Sequence, residues 1–385
     1  MISPAQSLVV VGSGLAAWTV IREFRKLDAQ TPVTLVTRDN GDFYSKPMLS
    51  NALSSGKTAA QLVSATRAAM AQQLGVTVMA QTDVTAIDPV ACSVHTSRGP
   101  VAYSRLVLAL GADPVRLPLQ GDAADRVLSV NDLQDYAKFR QQLENARRVT
   151  VIGAGLIGCE FANDLVHAGH EVDVVDPGSQ PLGRLLPPVA GQQVQQALAQ
   201  AGVRFHLGTS VQAVHAVPPG LQVELANGQR LASDLVLSAV GLRPRTALAQ
   251  AAGLQTARGI VVNRQLQTSQ PDIFALGDVA EVEGLLLPYV MPLMQSARTL
   301  AAHLAGQPAA LRYPAMPVVV KTPAIAVVAS PPPPDAQGSW QVKASPEGVD
   351  ARFVGEDGRL LGFALTGQAT TQKNNLQKNL PAMLA

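Results

Sequence analysis

The sequence repeats one local pattern at a spacing of 141 residues, from Gly12 to Gly153, and this repeat constrains the possible folds most strongly. In each copy a short apolar run enters a glycine turn, which is followed by a helical stretch and a second apolar run. Each copy therefore predicts a βαβ unit, with strands at residues 8–11 and 33–37 in the first and 149–152 and 172–175 in the second. The turns read Gly12-x-Gly14-x-x-Ala17 and Gly153-x-Gly155-x-x-Gly158.

The three small residues of such a turn have separate physical roles. The first glycine permits a tight turn, the second lets backbone N–H groups approach a pyrophosphate, and the third position lets helix and strand pack closely. The N-terminus of the following helix adds unpaired N–H groups and partial positive charge. We therefore predict that each turn binds a dinucleotide, through Gly12, Ser13, Gly14, Leu15, Ala16 and Ala17 in the first copy and Gly153, Gly155, Leu156, Ile157 and Gly158 in the second.

An acidic residue at the end of the second strand helps to select the dinucleotide. Asp176 comes 18 residues after Gly158, where a carboxylate accepts hydrogen bonds from a ribose diol and repels a 2′-phosphate. The first arginine after it is Arg184, so the second copy predicts NADH rather than NADPH. In the first copy Asp39 lies two residues beyond Thr37 and is the candidate ribose partner. A solvated loop acid is the alternative at both positions.

Composition and charge exclude several classes of protein. Apolar residues make up 47% and charged residues 15% of the 385 residues, so we expect large buried cores rather than disorder. The net charge of +2 comes without runs of lysine and arginine, which argues against nucleic acid binding. The two cysteines, Cys92 and Cys159, provide neither a disulfide scaffold nor a metal site. We expect no metal, no membrane span and a cytoplasmic location.

Further motifs follow in order along the chain at residues 103–112, 240–244 and 268–278, the last ending in Ile273-Phe274-Ala275-Leu276-Gly277-Asp278. With the two glycine turns, they resemble the FAD-dependent pyridine nucleotide–disulfide oxidoreductase superfamily. The resemblance implies an α/β fold with two Rossmann-like dinucleotide-binding domains, one for FAD and one for NAD, and a small α+β C-terminal domain. It also implies FAD contacts at Gly111, Gly241, Gly277 and Asp278, with Asp278 on the ribityl chain.

The order of these motifs predicts a discontinuous FAD domain of residues 1–112 and 240–311. The NAD domain, residues 113–239, is inserted into it, and a C-terminal domain of residues 312–385 follows. Right-handed βαβ crossovers place both dinucleotides at the carboxyl ends of their strands. The C-terminal domain does not resemble the long dimerisation domain of disulfide reductases, so we expect a monomer.

The segment that reaches the flavin in this superfamily decides the subclass. Disulfide reductases carry a cysteine pair there, and members of the peroxidase and oxidase branch carry a single cysteine. In this chain the corresponding residues, 44–50, contain no cysteine. We interpret Cys159 as a small buried apolar residue. No histidine follows His303, so the acid–base histidine of disulfide reductases has no counterpart. The resemblance therefore implies that electrons leave the flavin directly.

Residues 45–50 resemble the branch whose members reduce iron–sulfur or rubredoxin-type proteins. Within that branch, residues 161–165, 289–294 and 320–323 are most similar to rubredoxin reductases of alkane-oxidising bacteria. The resemblance implies electron transfer from NADH through FAD to rubredoxin, a small iron protein, in an alkane hydroxylation chain. A flavorubredoxin or ferredoxin reductase, an NADH oxidase or diaphorase, and a flavin-dependent redox sensor remain alternatives.

Three charged residues are the candidate catalytic residues. Lys321 interrupts an apolar stretch, so its ammonium needs an anionic partner, for which we predict the reduced flavin; a lysine that reaches water from an edge strand is the alternative. By family position, Lys46 and Glu160 resemble a pair that flanks the flavin, with a structural salt bridge as the alternative. Val290 is expected to direct a backbone N–H toward the flavin, and Val84 to contact the adenine half of FAD.

Overall fold

The first glycine turn follows a fully buried strand in the structure, a computed structural model that describes residues 7–385. All four residues of that strand are buried apolar side chains, as expected for a strand covered on both faces of a parallel sheet. This part of the chain contains β1 (Leu8–Val11), α1 (Leu15–Arg25), β2 (Val33–Val36), β3 (Phe43–Tyr44), a 3₁₀ turn (Lys46–Asn51), α2 (Ala59–Leu62), β4 (Val63–Ala65), α3 (Arg67–Leu74), β5 (Val76–Met79), β6 (Val84–Asp88), β7 (Ser93–Thr96), β8 (Gly99–Ala102), β9 (Arg105–Leu108) and β10 (Ala112–Pro114).

The parallel sheet of this first domain carries the glycine turn at its carboxyl edge. Val11, the last residue of β1, lies opposite Val36 of β2 and Leu108 of β9. The residues that follow these strands therefore meet at one edge. Gly12 has a φ of +111°, and a Cβ there would lie 2.3 Å from the carbonyl oxygen of Ala109, so that only glycine fits.

The second glycine turn lies in an inserted domain with the same local order of elements. They are α4 (Leu133–Leu143), β11 (Arg148–Ile152), α5 (Leu156–His167), β12 (Glu171–Asp176), α6 (Pro188–Gln200), β13 (Val203–Leu207), β14 (Val211–Val217), β15 (Gly220–Leu225), β16 (Arg230–Ser233) and β17 (Leu235–Ser238). The parallel sheet has the order β13, β12, β11, β17. Helices α5 and α6 cover one face through residues such as Leu165 and Leu198, and the antiparallel sheet β14–β16 covers the other through Val214 and Val223.

The chain then returns to the first sheet. The returning elements are β18 (Leu242–Pro244), α7 (Ala247–Ala251), β19 (Ile260–Val262), β20 (Ile273–Ala275), β21 (Ala280–Val282) and α8 (Val290–Leu304). Strand β20 pairs in parallel with β9 and completes the order β20, β9, β1, β2, β5. The antiparallel pair β10–β18 lies where the chain leaves and re-enters the first domain. The α/β fold with two dinucleotide-binding domains is thereby confirmed, while the domain boundaries stay predictions.

An antiparallel sheet forms most of the C-terminal part. Its elements are β22 (Val318–Val320), β23 (Val327–Ser330), β24 (Gly338–Ser345), β25 (Gly348–Gly355), β26 (Leu360–Thr366) and α9 (Lys373–Lys378). The sheet order is β22, β23, β26, β25, β24. Val327 and Ala364 of this sheet share one hydrophobic core with Leu198 of α6, and Leu49 of the first domain joins the same core. The C-terminal sheet is therefore packed against the inserted domain.

Replacement of Asp234 by asparagine should lower the free energy of unfolding by about 1–2 kcal/mol at pH 7, after allowing for solvent screening of a partly exposed pair. Asp234 bonds to the Arg148 guanidinium at 2.6 Å and to the N–H groups of Arg147 and Arg148, and these contacts lower its pKa to about 2. An unfolded aspartate titrates near about 3.9. The contribution of the Asp234 carboxylate to the free energy of unfolding is therefore present above about pH 4 and is lost as the pH falls toward about 2.

Urea unfolding of the wild type and of Asp234→Asn between pH 8 and pH 3 checks this prediction. The difference between the two proteins should be constant down to about pH 5 and should shrink below about pH 4. A difference that grows on acidification contradicts the assignment.

Candidate active site at the junction of three domains

The three glycines of the second turn have different surroundings. A Cβ at Gly153 would lie 2.8 Å from the carbonyl oxygen of Ala239, and one at Gly158 only 1.8 Å from that of Gly153. A Cβ at Gly155 would meet no atom within 4 Å. Packing therefore requires Gly153 and Gly158, whereas Gly155 leaves open space over the backbone at the start of α5. Close approach of a pyrophosphate requires such a space, so the turn fits a dinucleotide.

The first turn is similar and is closed by the segment that contains Asp278. Nothing lies within 4 Å of the Cβ position of Gly14, while Ala17 is fully buried in α1. A Cβ at Gly277 would lie 2.9 Å from the Cβ of Ala16, so the Asp278 segment packs directly on α1. This arrangement fits FAD, because the residue predicted for the ribityl chain lies beside the turn predicted for the phosphates. The individual contacts stay predictions.

Asp176 and Asp39 are both bonded to the glycine turns. Asp176, the last residue of β12, accepts the N–H of Ala154 at 2.7 Å through Oδ2 and that of Gly178 at 2.7 Å through Oδ1. Asp39 accepts the Ser13 hydroxyl at 2.6 Å. Each carboxylate is therefore held against the turn of its own βαβ unit, which argues against freely solvated loop acids. Their contacts to ribose stay predictions.

The two predicted crossover glycines lie at opposite ends of the antiparallel pair β10–β18. The N–H of Arg245 donates to the carbonyl oxygen of Gly111 at 3.1 Å, and that of Val115 donates to the carbonyl oxygen of Gly241 at 3.0 Å. The Arg245 guanidinium also donates to Asp113 at 2.6 Å. Sequence reasoning missed Arg245, which fastens the outgoing and returning crossovers to each other.

A buried carboxylate joins the three predicted domains. Glu160 on α5 is 0% exposed; its Oε2 accepts the Ser50 hydroxyl at 2.5 Å and pairs with Lys321 Nζ at 3.1 Å. Its Oε1 accepts the backbone N–H of Lys321 at 2.9 Å. Lys321 Nζ also donates to Asn51 Oδ1 at 2.7 Å and to the carbonyl oxygen of Pro47. These five residues are called the junction cluster.

Glu160 forms its ion pair with Lys321. Among residues 7–385, Lys46 forms no ion pair within 4.0 Å, so the salt bridge to Glu160 that was the alternative interpretation is not seen here. Burial lowers the pKa of Lys46, while the nearby Asp278 carboxylate favours its charged form. The anionic partner of Lys321 in this structure is therefore Glu160. A role of these residues toward the flavin stays a prediction.

The two predicted backbone contacts lie at the ends of elements. Val290 is the first residue of α8, so its N–H belongs to the first turn, where no intrahelical acceptor is available. Val84 is the first residue of β6 and pairs with Thr96 of β7. Both positions are compatible with the predicted contacts to FAD, which stay predictions.

We expect Cys159→Ser to leave turnover nearly unchanged. Cys159 is fully buried in α5, its thiol donates to the carbonyl oxygen of Ala154 at 3.3 Å, and burial raises its pKa. A protonated, buried thiol is a poor nucleophile. Alkylation of the folded protein at neutral pH, followed by mass spectrometry, should modify the half-buried Cys92 before Cys159. Loss of activity with FAD retained would instead indicate a thiol mechanism.

Within residues 7–385, no group of three or more histidine, cysteine, aspartate or glutamate side chains is placed to hold a metal ion. His167 and His170 instead bond to the carbonyl oxygens of Asn163 and Ala146. Over the same residues, no helix combines the length and apolar character needed to cross a lipid bilayer.

Comparison with known proteins identifies the class. Residues 6–303 match the family model described as pyridine nucleotide-disulphide oxidoreductase. The protein belongs to this family and is an oxidoreductase that uses FAD and NAD(H). Residues 310–380 match a second model, described as a rubredoxin binding C-terminal domain.

Individual relatives agree with this classification. The chain is 50% identical over 378 residues to a rubredoxin-NAD(+) reductase of Alcanivorax borkumensis, with coverage of 98% of this chain and 99% of the relative. It is 40% identical to a nitric oxide reductase FlRd-NAD(+) reductase of Aeromonas salmonicida, with coverage of 98% and 97%. It superposes on the crystal structure of a covalent putidaredoxin reductase–putidaredoxin complex with a TM-score of 0.88, 28% identity and coverage of 98% and 94%. The predicted resemblance is confirmed.

Proposed function

We propose that the protein is an NADH:rubredoxin oxidoreductase. The observation that carries this proposal is the junction cluster, which bonds the part that matches a rubredoxin binding domain, through Lys321, to Glu160 on the helix after the second glycine turn. The junction cluster therefore fixes the C-terminal part to α5 close to the second glycine turn. When bound, FAD would supply the conversion between NADH, a two-electron donor, and a one-electron carrier such as rubredoxin.

The chain's own residues bind and position the reactants. Gly155 leaves the backbone at the start of α5 open to the phosphates of NADH, and Asp176 lies at the strand end where the ribose is expected. We expect Gly14 to have the corresponding role toward the phosphates of FAD, and Asp278 to bind its ribityl chain. Glu160 is fully buried and holds the Lys321 ammonium and the Ser50 hydroxyl. Such buried contacts favour a fixed geometry of the site.

The direct test is anaerobic bleaching of the visible band of oxidised rubredoxin by the FAD-loaded protein, with NADH and NADPH in parallel cuvettes. We expect catalytic amounts of protein to bleach rubredoxin rapidly with NADH and much more slowly with NADPH. If NADH reduces the flavin while rubredoxin stays oxidised, rubredoxin is not the acceptor. Omission of the protein gives the background rate.

Asp176→Ala should raise the KM for NADH about tenfold and narrow the preference over NADPH, because hydrogen bonds to the ribose diol and repulsion of a 2′-phosphate are both lost. The matched control is Asp173→Asn, which changes another carboxylate of β12. Asp173 is bonded to Arg204 at 2.8 Å and to His206 at 2.8 Å, away from the glycine turn. Steady-state kinetics with both nucleotides check the prediction, and unchanged discrimination in Asp176→Ala contradicts it.

A second candidate function is reduction of a flavorubredoxin. The 40% identity to the Aeromonas salmonicida relative favours it. Parallel assays with rubredoxin and flavorubredoxin decide between the two acceptors by their kcat/KM values. Rapid oxygen consumption without a protein acceptor would indicate an NADH oxidase, and a stable reduced state with negligible turnover a redox sensor.

The alkane hydroxylation chain, the cytoplasmic location and the monomeric state are parts of the same proposal. The sequence identity to the Alcanivorax borkumensis relative supports a place in an alkane hydroxylation chain. Growth on alkanes after deletion of the gene, fractionation of cells, and light scattering of the purified protein test the three in turn.

A further inference from the structure

Helix α5 carries two more buried polar residues beyond Glu160. Asn163 and Asp164 follow three and four residues later, so all three lie on one side of the helix. Asn163 is 1% exposed and Asp164 is 2% exposed. Neither has a role in the contacts predicted above. Polar groups buried this completely need partners, and each of these two side chains has a partner outside the inserted domain.

Asp164 binds the backbone just after the 3₁₀ turn of the first domain. Its Oδ2 accepts the N–H of Leu53 at 2.9 Å, and its Oδ1 accepts the N–H of Ser54 at 3.1 Å and the hydroxyl of Ser54 at 2.5 Å. Among residues 7–385, no lysine, arginine or histidine nitrogen forms an ion pair with it. A buried carboxylate with only neutral donors is expensive to desolvate, so fold stability alone gives a weak reason for it.

Asn163 makes the corresponding contact to the C-terminal part. Its Oδ1 accepts the N–H of Ala324 at 3.1 Å, and its Nδ2 lies 3.3 Å from His167 Nδ1 on the same helix. The loop that contains Ala324 also contains Lys321, whose backbone N–H donates to Glu160, three residues before Asn163 on α5. Two side chains of α5 therefore fix this loop.

We infer that Asp164 and Asn163 are positioning residues, which make α5 a rigid connection between the NADH-binding turn and the segments that carry Lys46 and Lys321. This inference rests on the proposed function. The N-terminus of α5 forms part of the second glycine turn, while its buried side holds residues 53 and 54 through Asp164 and the 321–324 loop through Asn163. A displacement of α5 therefore moves both segments through buried hydrogen bonds.

Asp164→Ala is the principal test. The rate constant for flavin reduction by NADH should fall about 10- to 100-fold, because small displacements near a reacting centre have such effects. The KM for NADH should change less than about threefold, since the glycine turn is intact. The visible spectrum of bound FAD should shift, and FAD should dissociate about tenfold more readily. Stopped-flow absorbance and fluorescence titration measure these quantities.

Two further variants sharpen the test. Asp173→Asn removes a buried charge whose partners, Arg204 and His206, lie within the inserted domain, so it should lower the Tm without changing the flavin spectrum or the rate of flavin reduction. Ser54→Ala removes the hydroxyl partner of Asp164 and keeps both N–H donors, so it should give a smaller effect in the same direction as Asp164→Ala. If Asp164→Ala fails to fold, the Ser54→Ala variant tests the same contact.

The inference is overturned if the folded Asp164 and Ser54 variants keep the wild-type flavin spectrum, FAD affinity and rate of flavin reduction, with only a Tm change like that of Asp173→Asn. Asp164 would then be a packing residue at a domain boundary. These measurements need no rubredoxin, so a failure of rubredoxin as acceptor leaves them valid. FAD affinity and the flavin spectrum need no NADH either, so they remain decisive if another nucleotide is the reductant.

Discussion

Gly158→Ala is expected to reduce the rate of flavin reduction by NADH at least about 100-fold while FAD remains bound. A Cβ there would lie 1.8 Å from the carbonyl oxygen of Gly153, a backbone atom that cannot move without opening the glycine turn. Overpacking costs roughly 1–3 kcal/mol or more. Opening the turn also displaces the N–H groups that are expected to bind the pyrophosphate. Stopped-flow reduction by NADH, together with the FAD content from absorbance, measures the effect.

Gly155→Ala is the matched control for this experiment. Gly155 has a φ of −72°, which alanine adopts freely, and its Cβ would meet no atom within 4 Å. The free energy of unfolding should therefore change by less than about 1 kcal/mol. The added methyl group lies in the open space over the turn, so the KM for NADH should rise while the Tm stays normal. Wild-type reduction by NADH in Gly158→Ala would refute the assignment of this turn to NADH.

The two βαβ units could be predicted from the sequence because their signals are local. The apolar run at Leu8–Val11 and the glycine turn after it are adjacent in the chain, and the structure confirms the strand at these residues. The second unit is confirmed in the same way, with Asp176 as the last residue of β12. The shared core was not predicted, because Leu49, Leu198 and Val327 become parts of one core only after the domains pack together.

The junction cluster could not be predicted because its members are distant in sequence. Ser50 lies 110 residues from Glu160, and Lys321 lies 161 residues beyond Glu160. Family position drew attention to Lys46 and Glu160 as residues that flank the flavin, but it gave no sign of the contact between Glu160 and Lys321. One local signal was available for the interdomain contacts of α5: Asn163 and Asp164 interrupt an otherwise largely apolar helix.

Lys321→Met should lower the free energy of unfolding by about 2–4 kcal/mol. Loss of one partner from a buried ion pair costs about 3–5 kcal/mol when the other charge stays buried. Glu160 is 0% exposed, and it would keep only the Ser50 hydroxyl and the backbone N–H of residue 321 as donors. The Lys321 side chain is 37% exposed, so water can enter and reduce the loss. Lys343→Met, an exposed lysine on β24, should change stability by less than about 0.5 kcal/mol.

A double-mutant cycle isolates the ion pair from the other contacts of Lys321. Glu160→Gln removes the buried charge and keeps an oxygen that accepts from Ser50, so Lys321→Met combined with Glu160→Gln should be more stable than Lys321→Met alone. The coupling energy should be roughly 1–3 kcal/mol by urea unfolding. If the effects of the two substitutions on the free energy of unfolding are additive, the ion pair contributes nothing and the Lys321 ammonium is solvated by water. Asn163 and the shared apolar core would then hold the C-terminal part in place, and the charge of Lys321 would be free to respond to the flavin or to the acceptor.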